Sequence, residues 1–132
     1  MPSRKDLPLV RQQLDKTLTR FDSVFDLAPP SRGWIRAVRN ALGMSGRQLA
    51  HRLGLTQQSV ARMEKDEIAG ALTIKTLRRV AESLDCVLVY GIVPRESLES
   101  VVHDRARLIA GERQDTVEDL VDRMPLNFWD TK

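Results

Sequence analysis

Apolar residues recur at steps of three and four along most of this chain, a spacing that predicts helices. The first such stretch covers residues 6–26, where Arg11, Lys16 and Arg20 lie largely off the apolar stripe and Pro29-Pro30 ends the helix. We expect this helix to pack on the core; a partner-binding or dimerising helix is the alternative. The stripe consists of Leu7, Val10, Leu14, Leu18, Phe21 and Phe25.

Four short helices are predicted between residues 31 and 84, joined by three loops of about 2–6 residues. A Ser or Thr stands before each helix, as side-chain capping favours, and Gly43 and Gly54 follow the first two. Gln48 comes three residues after Ser45, which is the spacing of a capping box. The four starts are at Ser31, Ser45, Thr56 and Thr73.

Residues 86–93 have a different pattern, since they are rich in β-branched residues and lie between Asp85 and Pro94. This predicts a single strand. A lone strand leaves its backbone N–H and C=O groups unpaired, so we expect it to pair antiparallel with the same strand of a second copy across a two-fold axis. The chain would then be a homodimer, with an interface made by Val87, Leu88, Val89, Tyr90 and Ile92.

The C-terminal part predicts one helix over residues 96–112 and a shorter one that Asp115 and Glu118 can cap. The apolar stretch 124–129 either packs back onto the body or contacts a partner. A chain of 132 residues suits one domain better than two. We expect a single, mainly all-α domain in three segments: the N-terminal helix and connector (1–30), the central helices (31–84), and the strand with the C-terminal helices (85–132).

The positive charge of the chain is concentrated in its middle. Residues 31–84 hold 10 Lys/Arg against 4 Asp/Glu, residues 1–30 hold 5 against 4, and residues 85–132 hold 6 against 10, for a net charge of +3. A basic central segment predicts a polyanionic partner. Without a signal-like start or an apolar run that could span a bilayer, and with Cys86 as its one cysteine, the chain predicts a cytoplasmic protein.

Catalytic chemistry has little basis in this sequence. His51 is predicted to face solvent, and His103 is the one histidine of an amphipathic helix, so neither has metal ligands at a suitable spacing. Cys86 is predicted to be a buried thiol. The acidic side chains of residues 112–122 are predicted to lie on a solvent-exposed surface. We therefore expect no metal, no cofactor and no enzymatic activity.

Residues 45–64 predict a pair of helices in which the second can read the major groove of DNA. Ala50 lets the two helices cross closely, while Val60 and Met63 hold the second helix down. Its outer face, which carries no acidic residue, suits contacts to base edges, and the capped helix starts suit phosphates. The predicted DNA-binding residues are Arg47, Gln48, Thr56, Gln57, Gln58, Ser59, Ala61, Arg62, Lys65, Thr73, Lys75 and Thr76.

The same segment resembles the helix-turn-helix of the Cro and phage-repressor (XRE) family. The resemblance rests on Leu49-Ala50, Gly54, the run 56–60 and Glu64, and it covers about residues 32–84. It implies a lambda-repressor-like domain of the five-helix type. It also implies base contacts from Gln57, Gln58 and Arg62, and phosphate contacts from Ser59 and the start of the fourth helix.

Two departures from the XRE pattern stand out. Gly46 takes the place of a Gln that bonds a phosphate and braces the recognition helix, a role that Arg47 would have to fill. The connector after Glu64 is about two residues longer than usual.

The longer context resembles a narrower bacterial group, the mobile mystery protein A family. The matching runs are Pro29-Pro30, residues 33–39, Leu88-Val89-Tyr90 and Val93-Pro94-Arg95. The resemblance implies a regulator encoded beside a Fic-domain protein, a possible direct partner, with an antitoxin that binds a toxin protein as the alternative. No Glu of this chain is followed by Gly or Asn, as Fic-blocking antitoxins usually require, so repression of transcription is favoured. Such a repressor would act in the bacterial cytoplasm, at the nucleoid when bound, on an inverted repeat in double-stranded DNA.

Overall fold

The computed structural model describes residues 2–111 and 116–130, apart from the side chain of Val24. The regular secondary structure of these residues is helical. It consists of α1 (Leu7–Leu18), a 3-10 segment (Thr19–Val24), α2 (Trp34–Ala41), α3 (Gly46–Leu53), α4 (Gln57–Ala69), α5 (Ile74–Ser83), α6 (Leu98–Ala110) and α7 (Val117–Arg123). The chain forms two compact units, the terminal unit (Met1–Asp26 with Ile92–Lys132) and the central unit (Leu27–Gly91). The expected organisation as one domain in three segments stays a prediction.

The central unit contains α2 to α5 around one apolar core. Its buried residues are Ile35, Leu49, Ala50, Leu53, Val60, Val80 and Leu84. Three of the predicted caps are confirmed, because Ser45, Thr56 and Thr73 each accept a hydrogen bond from the backbone N–H three residues later. The fourth is wrong: α2 begins at Trp34 with Gly33, not Ser31, before it, and no side chain of its own segment caps it.

The second predicted departure from the XRE pattern, a longer connector after Glu64, is helix rather than loop. The helix α4 runs for 13 residues to Ala69 and ends at Gly70, whose φ of 73° is the left-handed conformation that glycine adopts without strain. The N–H groups of Gly70 and Ala71 close this end by bonding back to Glu67 and Asp66. The additional length therefore places Glu67 and Ile68 on the same rigid helix as the predicted DNA-reading residues.

The terminal unit packs α1, α6 and α7 around a second core. Its buried residues are Val102, Ala106, Leu120, Val121, Met124 and Phe128, with Leu7 of α1 packed against them. The C-terminal stretch 124–129 thus packs back through Met124 and Phe128, and Arg105 Nε fixes it by donating to the Phe128 carbonyl at 2.7 Å. Thr116, rather than Glu118, caps α7; Asp115 lies outside the described residues.

The helix α1 departs from its predicted packing. Arg11, expected on the solvent side, is buried, while Val10 and Leu14 of the apolar stripe are 38% and 46% exposed. Glu99 accepts a bond from the Nε of Arg11 at 2.7 Å, which offsets part of the desolvation cost of burying this guanidinium. Asp15 adds a second link to α6 by accepting from the N–H groups of Leu98 and Glu99 at 2.8 and 3.3 Å.

The strand predicted over residues 86–93 is wrong for the described chain, which contains no strand. A strand is held by ladder hydrogen bonds to a neighbour, and in the described residues the backbone of residues 87–93 makes none. The strand was predicted from the β-branched residues of this segment, but such residues form a strand only when a neighbouring strand pairs with their backbone. Cys86 is exposed instead of buried, with its Sγ 3.3 Å from the Leu84 carbonyl oxygen.

Candidate nucleic-acid interface

The turn between α3 and α4 is fixed by local hydrogen bonds. At the start of α3 both halves of the capping box form: Gln48 N–H donates to Ser45 Oγ at 3.1 Å, and Ser45 N–H donates to Gln48 Oε1 at 2.8 Å. At its end Gly54 has a φ of 70°, and Leu55 N–H bonds back to the Ala50 carbonyl at 2.8 Å. With Ala50 and Val60 both buried, the two helices cross closely, as predicted from sequence.

One face of α4 points away from this core, and we call it the reading face. It consists of residues that are all exposed, whereas Val60 and Glu64 of the same helix are buried. The face therefore offers two amides, two cations and one small residue, without a carboxylate. Its members are Gln57, Gln58, Ala61, Arg62 and Lys65.

The helix starts of this chain differ in charge, and that of α1 in the terminal unit contains no acidic residue in its first turn. The first turns of α3, α4 and α5 contain no acidic residue, while that of α6 contains Glu99 and that of α7 contains Glu118 and Asp119. A carboxylate in the first turn offsets the partial positive charge of a helix N-terminus. The central unit thus leaves this charge available to an external anion at three helix starts.

The predicted polar contacts divide into those that are bonded within the protein and those that are not. The hydroxyls of Thr56 and Ser59 lie 2.9 Å apart at the start of α4, as do those of Thr73 and Thr76 at the start of α5. Gln48 Oε1 is also used within the capping box. Among the described residues no hydrogen bond or ion pair involves the side chains of Arg47, Gln57, Gln58, Arg62, Lys65 and Lys75, all of which are exposed.

Three other arginines of the central unit have structural roles that sequence reasoning missed. Arg79 Nη2 donates to the Leu53 carbonyl at 2.7 Å, and Arg52 Nε donates to the Ser83 carbonyl at 2.7 Å. Both satisfy carbonyl groups at the C-terminal ends of helices, where a cation is favoured. Arg39 pairs with Glu64 through two bonds of 2.8 and 3.1 Å. Glu64 belongs to the XRE pattern and Arg39 to the run 33–39, but nothing in the sequence indicated that the two residues form an ion pair.

The helix α2 receives a further contact from α4. Glu67 accepts hydrogen bonds from the backbone N–H groups of Trp34 and Ile35, at 2.6 and 2.9 Å. Sequence reasoning missed this contact because the groups are 32 and 33 residues apart and no local pattern marks them. At Gly46, which takes the place of the bracing Gln of the XRE pattern, no atom lies within 4 Å of the position that a Cβ would occupy. In this chain Glu64 and Glu67 instead connect α4 to α2.

The predicted dimer residues lie at the end of the central unit and just beyond it. Val87 and Ile92 are 86% and 93% exposed, Val89 and Tyr90 are exposed, and Leu88 is half-buried. In the described residues no helix is both long and apolar enough to cross a membrane, and no cluster of three side chains could hold a metal ion.

The comparisons with known proteins agree with the geometry of the central unit. Residues 35–90, which include α2 to α5, match a family model described as helix-turn-helix. No curated protein and no solved structure gives a match, and the resemblance to the mobile mystery protein A family is not confirmed. Residues 35–90 are therefore similar to helix-turn-helix domains of the XRE type, which occur in DNA-binding transcription regulators.

Proposed function

We propose that this chain is a repressor that binds an inverted repeat in double-stranded DNA as a homodimer. The observation that carries the proposal is the reading face of α4, which is exposed, polar and free of carboxylates within a helix-turn-helix domain. Such a face matches what the major groove of B-DNA admits and recognises. The chain would work in the bacterial cytoplasm.

Base recognition falls to three residues of the reading face. Gln57 and Gln58 can each bond adenine N6 and N7 in bidentate fashion, and Arg62 can do the same with guanine O6 and N7. Ala61 would contact a thymine methyl group, and Lys65 a phosphate. The remaining predicted residues contact the backbone: Arg47, Lys75 and the N–H groups at the starts of α3, α4 and α5, with Gln48, Thr56, Ser59, Thr73 and Thr76 beside them.

The homodimer is proposed through residues 87–92. Their side chains are mostly apolar and exposed, and their backbone N–H and C=O groups make no hydrogen bond within the described residues. Antiparallel pairing with the same segment of a second copy would satisfy these groups and bring Val87 and Val89, which share one face of an extended segment, beside side chains of the partner strand. A two-fold dimer would place its two reading helices in half-sites about 34 Å apart. A chain that stays monomeric at micromolar concentration in light scattering would contradict this pairing.

The DNA proposal is tested by footprinting the intergenic DNA beside the gene and then titrating the protected duplex. We expect protection of a palindrome. If the dimer neutralises about 6–10 phosphates, affinity should fall by about 10³–10⁵ between 50 and 200 mM salt. Affinity that does not change with salt, or protection without two-fold symmetry, would contradict the proposal.

A partner of the Fic-domain class is proposed on the resemblance to the mobile mystery protein A family alone. In that arrangement the chain would regulate the operon that encodes both proteins. Reporter expression from the operon promoter should then rise when the gene is deleted.

A second candidate is an antitoxin that acts by binding a toxin protein. It is favoured by apolar side chains that the terminal unit leaves exposed, on α1 (Leu9, Val10, Leu14) and at the C-terminal end (Leu126, Trp129). Co-purification with the neighbouring gene product, lost when either end is truncated while operator binding persists, would favour this candidate.

A further inference from the structure

The start of α2 is capped by a carboxylate from another helix. The N-cap position is Gly33, which has no side chain, and the first turn of α2 contains no acidic residue. Glu67 of α4 supplies the capping acceptor and the negative charge that α2 itself lacks. Its Oε2 accepts a hydrogen bond from Trp34 N–H at 2.6 Å, and its Oε1 accepts one from Ile35 N–H at 2.9 Å. Two charge-assisted bonds at the positive end of a helix are among the stronger hydrogen bonds in proteins.

Gly33 is matched to this contact in two ways. Its φ of 88° with a ψ of 164° lies in a region open essentially to glycine. A Cβ placed on it would come within 2.8 Å of the Glu67 carboxylate carbon and of Oε1. A side chain at position 33 would therefore displace the carboxylate from the two N–H groups.

A second carboxylate of α4 holds the same helix farther along. Glu64, three residues before Glu67, pairs with Arg39, which also donates to the Met44 carbonyl at 2.9 Å. The two attachment points on α2 are five residues apart, or about 7.5 Å along the helix. Because Glu64 contacts the later part of α2 and Glu67 its start, the two helices run in opposite directions here. Two separated contacts fix both the rotation and the axial position of α4.

We propose that Glu67 is a positioning residue for DNA recognition: by capping α2 it sets the rotation and depth at which the reading face of α4 meets base edges. This inference rests on the proposed function. The reading face and Glu67 belong to one continuous helix, so release of its C-terminal end would let the face turn relative to the rest of the domain. Bidentate base contacts tolerate little displacement, whereas contacts to phosphates tolerate more. Loss of Glu67 should therefore weaken binding to the operator more than binding to other sequences.

The test compares Glu67→Gln with the wild type on two duplexes, the footprinted operator and a scrambled duplex of the same length. Glutamine keeps the size but places an NH₂ group against one of the two N–H donors and removes the charge. We expect operator affinity to fall about tenfold, with affinity for the scrambled duplex unchanged or slightly raised because a negative charge is lost. In the free protein, the Trp34 and Ile35 amide protons should exchange faster.

Two further variants separate positioning from other effects. Gly33→Ala disturbs the contact from the α2 side and leaves every charge in place, so it should reproduce the loss of operator preference. Glu82→Gln removes an exposed carboxylate of α5 and should leave the operator-to-scrambled ratio unchanged. All measurements are made well below the unfolding midpoint of each variant, which circular dichroism gives.

The outcomes are distinct. An equal change on both duplexes, in either direction, or no change on either, would overturn the positioning role of Glu67. A wild-type chain that does not prefer the operator would overturn the proposed function, and this inference with it. If the wild type prefers the operator and Glu67→Gln has the same operator-to-scrambled affinity ratio, this inference alone is overturned.

Discussion

The ion pair between Arg39 and Glu64 permits a quantitative prediction for the stability of the central unit. The two side chains are 12% and 11% exposed. Arg39 makes three hydrogen bonds, two to Glu64 and one to the Met44 carbonyl. Replacing Arg39 by Met keeps most of the apolar volume but leaves a nearly buried carboxylate and a carbonyl without their partner.

Loss of one partner from a buried ion pair costs about 3–5 kcal/mol. Since each kcal/mol corresponds to about 4–8 °C for a unit of this size, Arg39→Met should lower the unfolding midpoint by at least about 12 °C. Urea titration followed by circular dichroism gives the free energy of unfolding. The matched control is Arg78→Met, which removes an exposed arginine of α5 that makes no hydrogen bond among the described residues.

The double variant Arg39→Met with Glu64→Leu separates the two origins of this loss. Apolar replacement of both partners of a buried pair is often close to neutral, so the double variant should be more stable than Arg39→Met alone. A loss below about 1 kcal/mol for Arg39→Met, or a double variant less stable than the single one, would refute the view that the buried carboxylate dominates the cost.

Three other perturbations test separate parts of the fold. Thr56→Ala removes the cap of α4 and should cost about 0.5–2 kcal/mol of unfolding free energy, measured by urea titration. Phe128→Ala should cost about 3–5 kcal/mol, because the ring is buried in the core of the terminal unit. The hydrogen bond from Arg11 lowers the pKa of Glu99 below its usual 4.5, against the opposing effect of burial. The stability from this pair is therefore present above about pH 4.5 and is lost as the pH falls through the folded-state pKa. Glu99→Gln should flatten the acid side of the stability profile, and a profile as steep as that of the wild type would contradict the assignment.

The sequence predicted those features of the fold that depend on neighbours along the chain. The caps at Ser45, Thr56 and Thr73 and the turn at Gly54 involve groups three to five residues apart, so composition and spacing determine them. Spacing also predicted which residues of α4 point outward, because one helix has one buried stripe.

Contacts between distant parts of the chain could not be predicted in the same way. Arg11 was predicted to face solvent because its partner Glu99 is 88 residues away in the chain. The apolar stripe of α1 was predicted to be buried, but apolar spacing does not indicate how much of that stripe α6 covers. The cap of α2 by Glu67 has no local pattern. The strand over residues 86–93 was predicted from composition, but a strand needs a partner that the described chain does not contain.

Recognition of base edges by α4 is tested most directly by measuring two variants on a set of operators, each with one base pair changed. Gln58→Ala should lose about 1–3 kcal/mol on the intact operator and lose its discrimination at a single base position, while other positions keep theirs. Arg47→Ala should weaken binding to every duplex alike and reduce the salt dependence. A Gln58→Ala variant that loses affinity equally on every duplex, or keeps full discrimination at each position, would contradict the reading of DNA by α4.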